Sequence, residues 1–117
     1  ITDDSRVYIM EIGARMGGDF IGSDLVQLST GYDFVRGVID VALGQFAVPV
    51  ITKSAYSGVY FLSAETLAVA DFIQQAHLYP AIVCSERTDE VLHHITCSAE
   101  RSGYFIYEDS KKFVLEQ

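Results

Sequence analysis

The chain has 117 residues, half of them hydrophobic, with eight Lys and Arg against sixteen Asp and Glu and a formal net charge of −8 at pH 7. That length suits one ordinary domain with a packed core and excludes a large enzyme with separate cofactor and substrate domains. The acidic excess is spread along the chain, with four basic and seven acidic groups in residues 1–58 and four and nine in residues 59–117. No basic patch exists, so neither nucleic acid nor an anionic membrane is an expected partner. Two cysteines, Cys84 and Cys97, make neither a disulfide framework nor a four-ligand zinc site, and a reducing, cytoplasmic setting is the simplest expectation. Arg36, Asp40, Gln45 and Pro49 interrupt the most apolar run, 34–51, below membrane-spanning length. The opening ITDDSR has no signal-peptide layout and no initiator Met, which reads as a piece cut from something longer.

Residues 7–12 (VYIMEI) predict a short strand ending in a carboxylate, Glu11. Residues 13–19 (GARMGGD) hold three glycines and predict a loop. Residues 20–29 predict a helix that starts near Ser23 or Asp24 and stops at Gly31. Residues 33–43 predict a second helix, packed through Phe34, Val35, Val38, Ile39 and Ala42. Asp33 is its cap, Arg36 and Asp40 form a pair four apart, and Gly44 is its left-handed exit. Beyond Pro49, residues 56–62, 67–70, 80–84 and 103–107 read as short strands, 71–78 as a helix capped by Asp71, and 89–95 as either. The expected fold class is α+β, with one strand and two helices followed by a small, mostly antiparallel sheet.

Chemistry concentrates around the Gly-rich segment, where Glu11, Arg15, Asp19 and the amides of 13–18 crowd together. A carboxylate offers oxygen to a hard cation such as Mg²⁺. An arginine clamps phosphate or carboxylate, and Gly17 and Gly18 allow backbone to approach a ligand closely. The same residues also suit an ordinary salt bridge at a strand end beside a turn. Neither phosphate-loop pattern, GxxxxGK[ST] or GxGxxG, is present.

YIMEIGARMGGDFI followed by LVQLSTGYDFVRGVIDVALG resembles the C-terminal part of an ATP-grasp ligase domain. The resemblance implies that Glu11 is the late acidic Mg²⁺ ligand bridging the ATP phosphates. It implies that Arg15 holds the transferred phosphate or acyl phosphate, and that Gly17 and Gly18 belong to the loop beside the substrate. Many members carry Asn where this chain has Gly13, which tilts the likeness away from biotin carboxylase and carbamoyl phosphate synthetase and toward the amino-acid-ligase-like branch. Residues 56–70 and 80–84 resemble strands of a small C-terminal lobe, and CSAERSGYFIYE (97–108) resembles a segment in which an Arg precedes a Gly-led strand. Residues 1–50 are thus expected as the C-terminal portion of the ATP-grasp lobe and 51–117 as a small β-rich subdomain.

What the resemblance implies is an ATP-dependent carboxylate–amine ligase, acting through an acyl phosphate with ATP and Mg²⁺ and taking small-molecule substrates. The family's nucleotide-binding lobes lie upstream of this segment, so the chain alone is expected to be inactive and to need them as partners; a homodimer through the uncovered face is the other expectation. The alternatives are a non-catalytic binding or assembly module that keeps the fold, or a ligase of the biotin carboxylase or carbamoyl phosphate synthetase type. Elsewhere, adjacent His93 and His94 with Cys84 and Cys97 lack compact metal-ligand spacing, and His77 reads as a partly buried structural histidine. Tyr56, Tyr60, Phe61, Tyr104, Phe105 and Tyr107 read as cross-strand packing. Residues 85–87 and 108–109 read as solvated turns.

Overall fold

The computed structural model describes residues 8–11 and 16–115. At its centre is an antiparallel sheet of β1 (Tyr56–Leu62), β2 (Ile82–Arg87) and β3 (Gly103–Asp109), ordered β1–β3–β2. β3 takes the middle because it is apolar on both faces: Phe105, Ile106 and Tyr107 are consecutive and all buried, and successive strand side chains point to opposite faces. The expected strand at 80–84 is displaced to 82–87, since Pro80 and Ala81 form the turn that leads into it. Residues 85–87 and 108–109 are therefore strand ends rather than turns.

One face of the sheet carries the core. Tyr60 stacks over Phe105 and Tyr107, with ring centroids 5.3 and 5.9 Å away, and Leu62 is fully buried beside them. Helix α3 (Ala68–Gln74) covers this face with the buried Val69 and the half-buried Phe72 and Ile73, a stripe at helical spacing. Phe113 closes it, its ring 5.7 Å from Phe105 and its carbonyl accepting the Tyr60 hydroxyl at 3.0 Å.

Residues 67–70, expected as a strand, are instead the entry and first turn of α3. Four alternating residues cannot separate the two periodicities, and the buried positions continue at i+3 and i+4. Asp71 consequently lies inside the helix rather than capping it, and His77 sits exposed on a 3₁₀ turn, Ala76–Leu78. Residues 89–95 are neither helix nor strand: the Asp89 carboxylate accepts the Val91 N–H at 2.9 Å, and the Ser102 hydroxyl donates to the Val91 carbonyl at 2.7 Å.

The other face meets the preceding helical segment. A π-helical turn, Ile21–Leu25, runs into α1 (Val26–Thr30), and the Ser57 hydroxyl on β1 donates to the Leu25 carbonyl at 2.8 Å. This segment begins at Phe20 in a left-handed conformation with no side-chain cap, not at Ser23 or Asp24, whose side chains bond each other. Gly31 ends it as expected, at φ 75°, where a Cβ would fall 2.0 Å from the Thr52 hydroxyl oxygen. Both the backbone sign and the available space demand glycine there.

Helix α2 (Phe34–Ala42) has the expected ends. Asp33 accepts the Arg36 N–H at 2.9 Å, Gly44 takes φ 71°, and Arg36 Nε meets Asp40 Oδ1 at 2.8 Å. Its packing is not as expected. Val35, Val38 and Ile39 are 37%, 39% and 49% exposed, Ala42 is exposed, and only Phe34 is half-buried, beside the buried Gly22. The apolar stripe is real, but among the described residues only its Phe34 end meets another element, the π-helical turn at Gly22. Residues 43–51 continue the exposure through Leu43, Phe46, Val48, Val50 and Ile51.

The strand expected at 7–12 is also corrected. Residues 8–11 belong to no strand, Tyr8, Ile9 and Met10 are largely exposed, and Val7 and Ile12 lie outside the described residues. A strand needs a ladder partner, and among the described residues none pairs with this segment. The accessible surface totals 8663 Å², against about 6300 Å² for a compact monomer of this size. The radius of gyration is 16.5 Å, where about 13 Å is usual. No helix of the described residues is long and apolar enough to cross a membrane.

Candidate functional site

Of the residues singled out on the Gly-rich segment, Glu11 is exposed and lies in no regular element. Arg15 and Gly13 lie outside the described residues, and with them the geometry of the Glu11–Arg15 pair. Gly17 and Gly18 are exposed. A Cβ on Gly17 would come 3.0 Å from the Ile21 side chain, whereas one on Gly18 would meet nothing within 4 Å. A side chain at Gly17 would therefore crowd the helix start, and Gly18 is the glycine that faces open space. Its carbonyl accepts the Ile21 N–H at 3.0 Å.

The left-handed backbone in this loop falls on two non-glycine residues, Asp19 (φ 54°) and Phe20 (φ 65°). Asp tolerates that region through local polar contacts, but a bulky aromatic there is an outlier that its surroundings must hold in place. Those surroundings come from the far end of the chain. Arg101 Nη1 and Nη2 donate to Asp19 Oδ1 and Oδ2 at 2.5 and 3.3 Å, a two-pronged pair across 82 residues. The guanidinium carbon stands 3.7 Å above the Phe61 ring, a cation–π contact. Phe20 fills the same corner, with ring centroids 4.6 Å from Tyr104 and 6.4 Å from Phe61. Arg101 beside it, first by hydrogen bonding, holds the Asp19 carboxyl below the usual aspartate range.

This cluster borders an open cavity of about 360 Å³, walled by Phe20, Phe61 and Tyr104 with Thr88 at its rim. The Tyr104 hydroxyl donates to Glu86 Oε2 at 3.0 Å, and its pKa is pushed up to about 12, first by burial and then by Glu86. The sequence pointed to Asp19 and Arg101 separately, and nothing in their local patterns links them. Only the sheet, which places Phe61 opposite Tyr104, brings them together.

The two adjacent histidines diverge to separate carboxylates. His93 Nε2 meets Asp89 Oδ2 at 3.0 Å, and His94 Nδ1 meets Glu65 Oε1 at 2.8 Å. Hydrogen bonds from Ser63 and then His94 bring the Glu65 carboxyl down to about 2. Cys84 and Cys97 are free and exposed. Among the described residues no group of three or more His, Cys, Asp or Glu side chains converges as metal ligands do. For a Mg²⁺ ion, Glu11 alone supplies a suitable oxygen donor of the expected set, and one carboxylate is an incomplete site.

A second cavity, about 350 Å³, runs along α2 between Tyr32, Phe34, Val38, Val41, Phe46 and Pro49. Its walls are apolar and lie on the uncovered face. Compared with family models, curated proteins and solved structures, the chain matches none.

Proposed function

We propose that this chain is the C-terminal part of an ATP-grasp ligase that joins a carboxylate to an amine through an acyl phosphate, and that it is inactive alone. The observation that carries this reading is the uncovered face of α2. A nine-residue helix with well-formed ends leaves Val35, Val38 and Ile39 open to water, and apolar residues 43–51 extend the patch. Such a contiguous apolar surface marks a contact with something further. Helix α2 lies within residues 25–44, one of the stretches that bear the resemblance, and further lobes of the same polypeptide are the covering the family supplies.

In this reading Glu11 would supply one oxygen ligand to a Mg²⁺ ion accompanying ATP, and Arg15 would hold the phosphate being transferred. Gly18, open to solvent, lets backbone approach that phosphate. The substrate carboxylate attacks the γ-phosphorus, ADP leaves, and the amine then displaces phosphate from the acyl carbon. Positioning dominates phosphoryl transfer, which is why a single lobe does not suffice.

A non-catalytic assembly module is the second reading, and one observation favours it: Glu11 stands outside any strand. Glu11→Gln and Arg15→Ala in the polypeptide extended upstream separate the two. A ligase loses ATP hydrolysis coupled to amide formation by a hundredfold or more in each variant, with unchanged folding. Equal turnover in Glu11→Gln, or none in the unmodified extended protein, rules the ligase reading out.

A further inference from the structure

We infer that Arg101 is a positioning residue for the Gly-rich loop: through Asp19 and the Phe61 ring it latches residues 16–20 onto the sheet. Three observations converge on it. Asp19 and Phe20 both hold left-handed backbone, a conformation that Asp tolerates and a bulky aromatic does not favour. The Asp19 carboxylate takes both terminal nitrogens of Arg101, so the pair fixes orientation as well as distance. The guanidinium carbon in turn stands over the Phe61 ring, while Phe20 wedges against Tyr104 on the strand paired with β1.

The charged groups that line the cavity beside these residues, Asp19 and Arg101, are engaged with each other. Their role is mechanical. The start of the helical segment hangs on this corner, since the Asp24 and Leu25 N–H groups both bond the Phe20 carbonyl at 2.9 Å. Arginine suits the position better than lysine, because a point charge cannot reproduce the two-pronged fork onto the Asp19 carboxylate. For catalysis the inference rests on the ligase reading above: a fixed loop end sets where Gly17 and Gly18 meet the phosphate.

The test is amide hydrogen exchange on the 117-residue chain and its Arg101→Gln, Asp19→Asn and double variants. The latch predicts that the Ile21, Asp24 and Leu25 amides exchange at least tenfold faster in each single variant, while the Phe105–Tyr107 amides stay as they are. The double variant is no faster than Arg101→Gln, which already removes the Asp19 pair together with the Phe61 contact. Arg101→Lys recovers only part of the protection. Should Arg101→Gln loosen the sheet as well, Asp19→Asn, at the exposed end of the pair, decides alone. Unchanged exchange in Asp19→Asn, or additive effects in the double variant, overturns the latch.

A kinetic readout tells its failure from that of the ligase reading. In the upstream-extended protein, Arg101→Gln lowers kcat about tenfold with KM for ATP unchanged. If that protein has no ligase activity yet the exchange result holds, the proposed function falls and the latch stands. If it is active and Arg101→Gln leaves both exchange and kcat unchanged, the latch falls.

Discussion

Ile39→Ala is expected to be almost harmless, and Leu62→Ala severe, although each removes three carbons from an apolar side chain. Leu62 is fully buried in the core face, whereas Ile39 is 49% exposed on α2. Three buried carbons are worth about 2.4 kcal/mol by transfer, and a cavity adds to that, so Leu62→Ala falls in the range of about 2–5 kcal/mol. At Ile39 only about half of the transfer term is at stake, roughly 1.2 kcal/mol. Alanine's better helix propensity returns about 0.4 of it. The net cost is below about 1 kcal/mol. Urea unfolding followed by circular dichroism reads both at micromolar protein, with the slope checked for constancy. An Ile39→Ala cost as large as that of Leu62→Ala shows α2 to be covered within the chain, and the argument from its open face collapses.

Gly31→Ala forces a Cβ onto a left-handed backbone and into the Thr52 hydroxyl, so it costs about 1–3 kcal/mol in the same assay; a neutral result contradicts the turn geometry. Glu65 has a depressed folded-state pKa of about 2, so its contribution is fully present above the ordinary carboxyl range near 4.5 and is lost as pH falls toward 2. The wild type's stability advantage over Glu65→Gln therefore shrinks across that window, and an advantage undiminished at pH 2 refutes the assignment. The apolar groove on α2 predicts concentration-dependent self-association in sedimentation, reduced by Val38→Lys, which places a charge on its wall. Equal association of the two proteins places that contact elsewhere.

Local signals were legible where a residue's own chemistry decides the backbone. Asp33 capping α2, Gly31 and Gly44 turning left-handed, and the Arg36–Asp40 pair all follow from short-range rules. The aromatic strands were legible too, because Phe105 and Tyr107 belong to a segment apolar enough to be central. What escaped was tertiary. Amphipathicity at 33–43 says that a helix has an apolar face, not that anything in the same chain covers it. The strand-like composition of 7–12 likewise cannot supply a pairing partner for residues 8–11. The latch was invisible because Asp19 and Arg101 are 82 residues apart and meet only through sheet pairing. The left-handed turn fell on Asp19 and Phe20 rather than on the neighbouring glycines, since distant contacts outweighed local preference.

The most direct test of the ligase reading is calorimetric titration of Mg²⁺–ATP into the 117-residue chain and into the upstream-extended protein, side by side. The prediction is saturable one-to-one binding by the extended protein and weak or absent heat with the short chain, because one arginine neutralises only part of the triphosphate charge and one carboxylate is an incomplete Mg²⁺ site. Tight stoichiometric binding to the short chain alone, or no binding to either protein, contradicts it.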